Sequence, residues 1–252
     1  MKRPNTLFVG QVFHDLPQVA STNEHALFLL SKNKPPEGTV ISTFCQTDGR
    51  GQIGSKWESQ PGKNITLSVI FYPEFLLAKN QFRLNQAISL ATHDFVKTYL
   101  PEEVRIKWPN DTYVRQLKIA GILIQNSLSN NYIRSSVVGI GINVNQTMFL
   151  TSPPNPTSFA LETGWEFDLE ELVLSLCQFI ESRYLQLKSG KIVPLHRDYL
   201  QGLYLFEVPS LFQRASGEVF QGTITGIDES GKILLSVGGE EEAFDLKEMK
   251  FL

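Results

Sequence analysis

Cysteine is scarce in this sequence. The 252 residues hold two, Cys45 and Cys177, far apart and without a CxxC or HxC neighbour. That excludes a disulfide framework, gives no zinc site, and fits reduced thiols in a cytoplasmic protein. Histidine is sparse as well. His14, His25, His93 and His196 have no serine or cysteine partner at motif spacing, so nothing supports a Ser-His-Asp site. An excess of charge of one sign is also missing, since 23 Lys and Arg face 26 Asp and Glu for a formal net charge of −3. Such a balance exerts no general pull on nucleic acid or anionic membrane. No apolar run approaches the roughly 18 residues of a membrane span. The stretch after Met1-Lys2-Arg3-Pro4 is broken by Gln11, His14 and Asp15, unlike a signal peptide. Internal repeats and low-complexity tracts are lacking too.

What is present is an ordinary globular composition, 42% hydrophobic and 19% charged. A chain of this length buries roughly three quarters of its unfolded surface and needs no metal or disulfide staple. Ser21 followed by Glu24 predicts a capping box, with Ala26, Leu27 and Leu30 on one helical face behind it. Strands are expected at 39–45, 65–72 and 104–108, and a hairpin at 118–127 and 132–144 across Ser129-Asn130-Asn131. Leu84, Ile88, Ala91 and Phe95 mark a long amphipathic helix over 81–100. A second helix over 167–188 has Asp168 and Glu171 as its capping box. Residues 147–158, rich in Pro, Ser and Thr, read as a loop. After about residue 200 the pattern changes to short strands at 219–227, 232–237 and 243–246, separated by glycine turns. That suggests a small β-barrel of about 50 residues behind a mixed α+β domain.

Three segments could carry chemistry. Gly49-Arg50-Gly51-Gln52-Ile53-Gly54 matches G-x-G-x-x-G, but turn residues follow it where a dinucleotide fold needs a helix. It remains a glycine-rich loop between strands. Either Arg50 and the backbone N–H groups hold an anion there, or the loop is a hairpin with solvated charges. In Lys107-Trp108-Pro109-Asn110-Asp111, the proline puts Asn110 and Asp111 at a strand end or turn, as Asx-turn residues or as oxygen ligands. Lys118 opens the next apolar strand without a sequence neighbour of opposite charge. Half-buried, it needs a bound anion as partner unless it snorkels to solvent. Gly139 and Gly141 stand inside a strand, which means close approach of another backbone or a ligand, or else a bulge or tight packing.

Together these motifs go further than each alone. Ser21-Thr22-Asn23, Gln46-x-x-Gly49-Arg50-Gly51-x-x-Gly54-x-x-Trp57, Lys107-Trp108-Pro109-Asn110-Asp111, Lys118-x-x-Gly121-Ile122-Leu123 and Gly139-Ile140-Gly141-Ile142-Asn143 follow one another in family order and spacing. The sequence resembles the biotin protein ligases, and the resemblance covers nearly the whole chain. It implies a class II aminoacyl-tRNA-synthetase-like mixed sheet flanked by helices over 1–200, and an SH3-like barrel over 201–252. It implies activation of biotin with ATP and Mg²⁺ to biotinyl-5′-AMP and pyrophosphate. The biotin then passes to one lysine of a biotin carboxyl carrier protein.

By the same resemblance, Ser21, Thr22, Asn23, Gln46, Arg50, Gly51, Gln52, Lys118 and Gly121 would bind biotin. Gly49, Arg50, Trp57, Lys107, Asn110 and Asn143 would meet the nucleotide, with Trp57 near the adenine. Lys118, Arg50 and Asp111 would carry the chemistry, and Mg²⁺ would sit near Asp111. Two positions depart from the family pattern: Gln52, where Arg is usual, and Gln125, where Glu is frequent. Only 20 residues precede Ser21, too few for the helix-turn-helix domain of the regulatory branch, so the single-function type without DNA binding is expected. No membrane partner is expected, and monomer and homodimer stay open. The alternatives are a lipoate or octanoate ligase of the same superfamily, whose pocket needs no ureido-binding polar set, and a non-enzymatic binding module.

Overall fold

Eight residues in a row, Asn64 to Phe71, alternate between two buried faces, and the rest of the main sheet is arranged around them. The computed structural model describes residues 3–52, 54–100, 103–150 and 155–252. Ile53 of the glycine loop and residues 151–154 of the Pro-rich stretch lie outside them. Strands β1 (Phe13–Leu16), β2 (Val40–Thr43), β3 (Asn64–Phe71), β4 (Val104–Lys107), β5 (Asp111–Val114), β6 (Leu117–Ser129) and β7 (Tyr132–Asn143) form one sheet in the order β1-β2-β3-β7-β6-β5-β4. Only the β1–β2 pair is parallel.

Helices α1 (Thr22–Lys32), α2 (Phe82–Tyr99), α3 (Phe159–Thr163), α4 (Leu169–Lys188) and α5 (Ile192–Gly202) flank the sheet. Side chains of a strand point alternately to its two faces. On β3, Ile65, Leu67, Val69 and Phe71 enter the large core with Leu84, Ile88 and Phe95 of α2 and Leu176, Ile180 and Tyr184 of α4. Ile70 instead packs with Ala26 of α1, and Ser68 bonds to Thr22 and Asn23. The α1 face therefore carries the polar residues of the central strand.

Asp168 caps α4, accepting from Glu170 N and Glu171 N, which is the Asp168 half of the expected capping box. The capping box expected at Ser21 does not form. The Ser21 side chain makes no cap bond, and Glu24 is held by Arg50 instead of reaching back. Helix α5 was not expected from the sequence. Its Pro194 lies in the first turn, where a missing N–H costs nothing.

The C-terminal strands β8 (Ser210–Arg214), β9 (Val219–Ile227), β10 (Ile233–Val237), β11 (Glu240–Phe244) and β12 (Met249–Phe251) form an antiparallel sheet in the order β11-β10-β9-β8-β12. The strand expected at 243–246 lies earlier, because the Gly238-Gly239 turn feeds directly into Glu240. Phe212, Ile224, Ile233 and Leu235 join the same buried cluster as α2 and α4. Trp108 Nε1 donates to Gly231 O at 2.9 Å. Gly231 has φ +99°, and a Cβ there would run into the Phe82 ring, so the turn needs glycine to dock on α2. Among the described residues, no helix is long and apolar enough to cross a membrane.

Candidate active site

The α1 face of the sheet opens into a cavity of about 300 Å³. It draws residues from every motif of the sequence: Thr22 and Asn23, Gln46, Arg50 and Gln52, Trp57, Asn110 and Asp111, Lys118 and Gly121, Gly139 and Gly141. The floor is glycine for a steric reason. A Cβ on Gly139 would clash with Asn23 Oδ1. One on Gly141 would overlap the Trp57 indole, while one on Gly121 would sit less tightly, 3.3 Å from the same ring. The three positions pair across β7 and β6, where Gly121 faces Gly141 and Gly139 faces Leu123. Of the readings open at Gly139 and Gly141, tight packing is what the structure shows: the Asn23 and Trp57 side chains occupy the space a Cβ would need.

One wall is neutral and polar. Gln46 Oε1 accepts from Thr22 N at 2.9 Å. Ser68 Oγ lies 2.7 Å from Thr22 Oγ1 and 2.6 Å from Asn23 Oδ1. Asn23 Nδ2 donates to Gln125 Oε1 at 3.0 Å and to Leu123 O at 3.3 Å. Ser21, Thr22, Asn23 and Ser68 are all buried. Ser68 did not emerge from the motifs. The alternation of Thr66 and Ser68 within an apolar strand was the signal that could have found it.

The other wall is charged. Residues 49–52 and 54–57 pair as the two arms of a hairpin: Trp57 N donates to Gly49 O, Gly51 N to Ser55 O, and Ser55 N to Gln52 O. A Cβ on Gly49 would press on the Trp57 carbonyl. Arg50 leaves this hairpin and pairs with Glu24, both half-exposed. The loop is therefore a hairpin and also a cavity wall.

The partner of Lys118 corrects the expectation that it needs a bound anion. Lys118 Nζ lies 2.6 Å from Asp111 Oδ2, with both side chains about three quarters buried. A β-bulge makes this pair. Thr112 faces Ala120 but Tyr113 faces Lys118, so Ile119 is extra, and Lys118 is turned toward Asp111 seven residues away. Burial pushes the Asp111 carboxyl up, against the pull of Lys118 and Lys107. Asn110 Nδ2 donates to Ile122 O, which fastens the β4–β5 turn to β6.

Three residues expected at the nucleotide lie outside the cavity lining: Gly49, Lys107 and Asn143. Lys107 points its ammonium among aromatic rings, 4.8 Å from the centre of Tyr113, 5.0 Å from Phe251 and 6.0 Å from Tyr204. It donates to the Tyr113 hydroxyl at 3.4 Å. Burial lowers its pKa; Asp111 opposes this and Lys118 adds to it. Asn143 Nδ2 donates to Thr157 O at 2.9 Å. Trp108, quoted in its motif without a role, and Leu246, not singled out from the sequence, do line the cavity, so the connection between β11 and β12 contributes to its wall. Among the described residues no cluster of three or more His, Cys, Asp or Glu could hold a metal ion.

A neutral polar recess beside a lysine–aspartate pair and an arginine-bearing hairpin suits a ligand that is uncharged at one end and anionic at the other. The family model for the biotin/lipoate A/B protein ligase family matches residues 16–143. The chain belongs to that family. It is 29% identical over 244 residues to the bifunctional ligase/repressor BirA of Bacillus subtilis, covering 91% of this chain and 71% of that protein. It is 28% identical over 225 residues to the biotin–[acetyl-CoA-carboxylase] ligase of Mycobacterium tuberculosis, covering 88% of this chain and 82% of that protein. Its fold matches that of the biotin protein ligase from Aquifex aeolicus in complex with biotin and ATP. That match has a TM-score of 0.79 at 24% identity, over 96% of this chain and 99% of that one.

Proposed function

We propose that this protein is a biotin–protein ligase. A biotin carboxylate oxygen attacks the α-phosphorus of ATP, pyrophosphate leaves, and biotinyl-5′-AMP forms. The amine of one lysine on a biotin carboxyl carrier domain then attacks the acyl carbon, loses a proton, and AMP leaves. The observation that carries this reading is the convergence of five separate motifs on one cavity with a neutral wall and a charged wall. We assign the fold's two parts as a catalytic unit over 1–200 and an appended module over 201–252, and we place the reaction in the cytoplasm.

Both reactants of the first step are anionic, so their approach needs fixed positive charge. Lys118 supplies it at the reacting oxygens, and Asp111 holds its ammonium in place until the substrate arrives. Arg50 supplies it on the hairpin side. Gly51 and Gln52 meet the carboxylate and phosphate from the same hairpin, and Trp57 covers the adenylate. Ser21, Thr22, Asn23 and Gln46 bind the ureido ring, whose neutral N–H and C=O groups require short polar partners. Mg²⁺ would arrive with ATP and neutralise phosphate charge. A single carboxylate, Asp111, beside Asn110 fits the pattern of a nucleotide-borne ion held by one or two carboxylates.

The test is biotin-dependent exchange of pyrophosphate into ATP, followed by labelling of one lysine on a carrier domain. Exchange that runs with lipoate or octanoate and fails with biotin would move the chain to the other branch of its family. No exchange with any acid would leave only a binding module.

A further inference from the structure

We infer that Ser68, buried behind the neutral wall, is a positioning residue that fixes the polarity of Thr22 and so helps select a ligand with an N–H donor. This rests on the reading of the neutral wall as the ureido site. Ser68 is fully buried and does not line the cavity. Its hydroxyl has one proton and two oxygen neighbours, Asn23 Oδ1 at 2.6 Å and Thr22 Oγ1 at 2.7 Å.

The direction of each bond follows from the fixed backbone groups. The carbonyl of Leu123 can only accept, so the nitrogen of the Asn23 amide faces it and Asn23 Oδ1 faces Ser68. An amide oxygen cannot donate, so Ser68 gives its proton to Asn23. The 2.7 Å contact between Thr22 and Ser68 is then a bond only if Thr22 donates. Gln46 competes for the same proton, since its Oε1 lies 3.3 Å from Thr22 Oγ1. That oxygen already accepts from Thr22 N, which fixes its orientation, and at 3.3 Å it is the poorer acceptor. Ser68 thus keeps the Thr22 proton inside the wall and leaves Thr22 Oγ1 presenting a lone pair to the cavity. Gln46, its oxygen engaged, keeps Nε2 as a donor. A donor and an acceptor side by side match a urea, and the acceptor end is set by a residue the ligand never touches.

Without Ser68 the Thr22 hydroxyl can rotate and donate into the cavity. The probes are biotin and the two cyclic carbamates in which one ureido N–H is replaced by a ring oxygen. Each is titrated calorimetrically against the wild type, Ser68→Ala, Thr22→Val and the double variant. The wild type should prefer biotin over at least one carbamate. Ser68→Ala should shrink that preference about 3- to 10-fold, the range of one neutral hydrogen bond. In the Thr22→Val background, Ser68→Ala should change the preference by less than about twofold, because the two act as one unit.

Equal weakening of biotin and both carbamates by Ser68→Ala would make Ser68 merely structural and overturn the inference. So would an unchanged preference, or a full second loss in the double variant. Should Ser68→Ala not fold, a Thr22→Val protein that keeps the full wild-type preference overturns it alone. A wild type that binds no biotin would instead refute the proposed function.

Discussion

The two walls of the cavity are built by different rules. On the neutral side, Thr22, Asn23, Gln46, Ser68 and Gln125 are bonded to one another and to backbone before any ligand arrives. On the charged side, each cation is held by one carboxylate, Lys118 by Asp111 and Arg50 by Glu24. A neutral network holds one geometry, and each member is costly to leave unpaired when buried. The half-exposed Arg50–Glu24 pair can be opened by a competing anion at small cost, and an anionic ligand can take the place of Asp111 beside the more buried Lys118. The neutral wall is therefore suited to selecting a ligand, and the charged wall to changing partners during a reaction.

If the charged wall does the chemistry, Lys118→Ala should slow adenylation by about 10²–10³-fold, the usual loss for one electrostatic stabiliser. Circular dichroism should show a folded protein, since a side chain at the cavity edge leaves no sealed void. Unchanged adenylation in a folded variant would erase the contrast between the walls.

The neutral wall predicts a different signature. Gly139→Ala puts a methyl group into the Asn23 amide. Overpacking of this kind costs about 1–3 kcal/mol. The KM for biotin should rise about tenfold or more while the KM for ATP moves little. A rise in both would mean that the walls are not separable.

Smaller effects sharpen the charged side. Gln52 offers a phosphate one neutral hydrogen bond, whereas Arg offers a charge-assisted one, a difference on the order of 1 kcal/mol. Gln52→Arg should slow escape of labelled biotinyl-AMP several-fold, measured as a dissociation rate. Equal rates would leave retention to Arg50 and Lys118.

Far from both walls, Glu37 provides a control. Burial raises its pKa, but bonds from Tyr184, Lys188 and the Tyr72 N–H more than offset this and hold it below the usual range. A carboxyl depressed in the folded state adds stability above its unfolded pKa and loses it as pH falls through the folded value. Thermal stability of the wild type should therefore decline below about pH 4.5. Glu37→Gln should flatten that decline and leave adenylation unchanged, which thermal melts across pH will check.

The sequence made the central strands, α2 and α4 legible because their apolar periodicity is long. The four-residue edge strand β1 carries His14 and Asp15 and shows no such signal. Strand β5 was hidden behind the Asn110-Asp111 turn. The site was legible as motifs, but their pairings were not. Nothing in Asp111 and Lys118, seven residues apart, announces an ion pair until a bulge at Ile119 turns one toward the other. Lys107 reads as a phosphate ligand within its motif. Its aromatic neighbours Tyr204 and Phe251 come from the far end of the chain, and no local pattern could have placed them.

The three tryptophans of the chain occupy three different optical environments. Trp165 is 73% exposed and will emit at long wavelength whatever the cavity holds. Trp108 is 8% exposed, with its indole N–H bound to Gly231 O. Trp57 lies against the cavity floor, and its Nε1 is buried without a hydrogen-bond partner. Its excited-state dipole therefore responds to whatever group first approaches that nitrogen. Fluorescence during a titration thus has a native reporter in the cavity, and Trp57→Phe gives the blank against which the other two are subtracted.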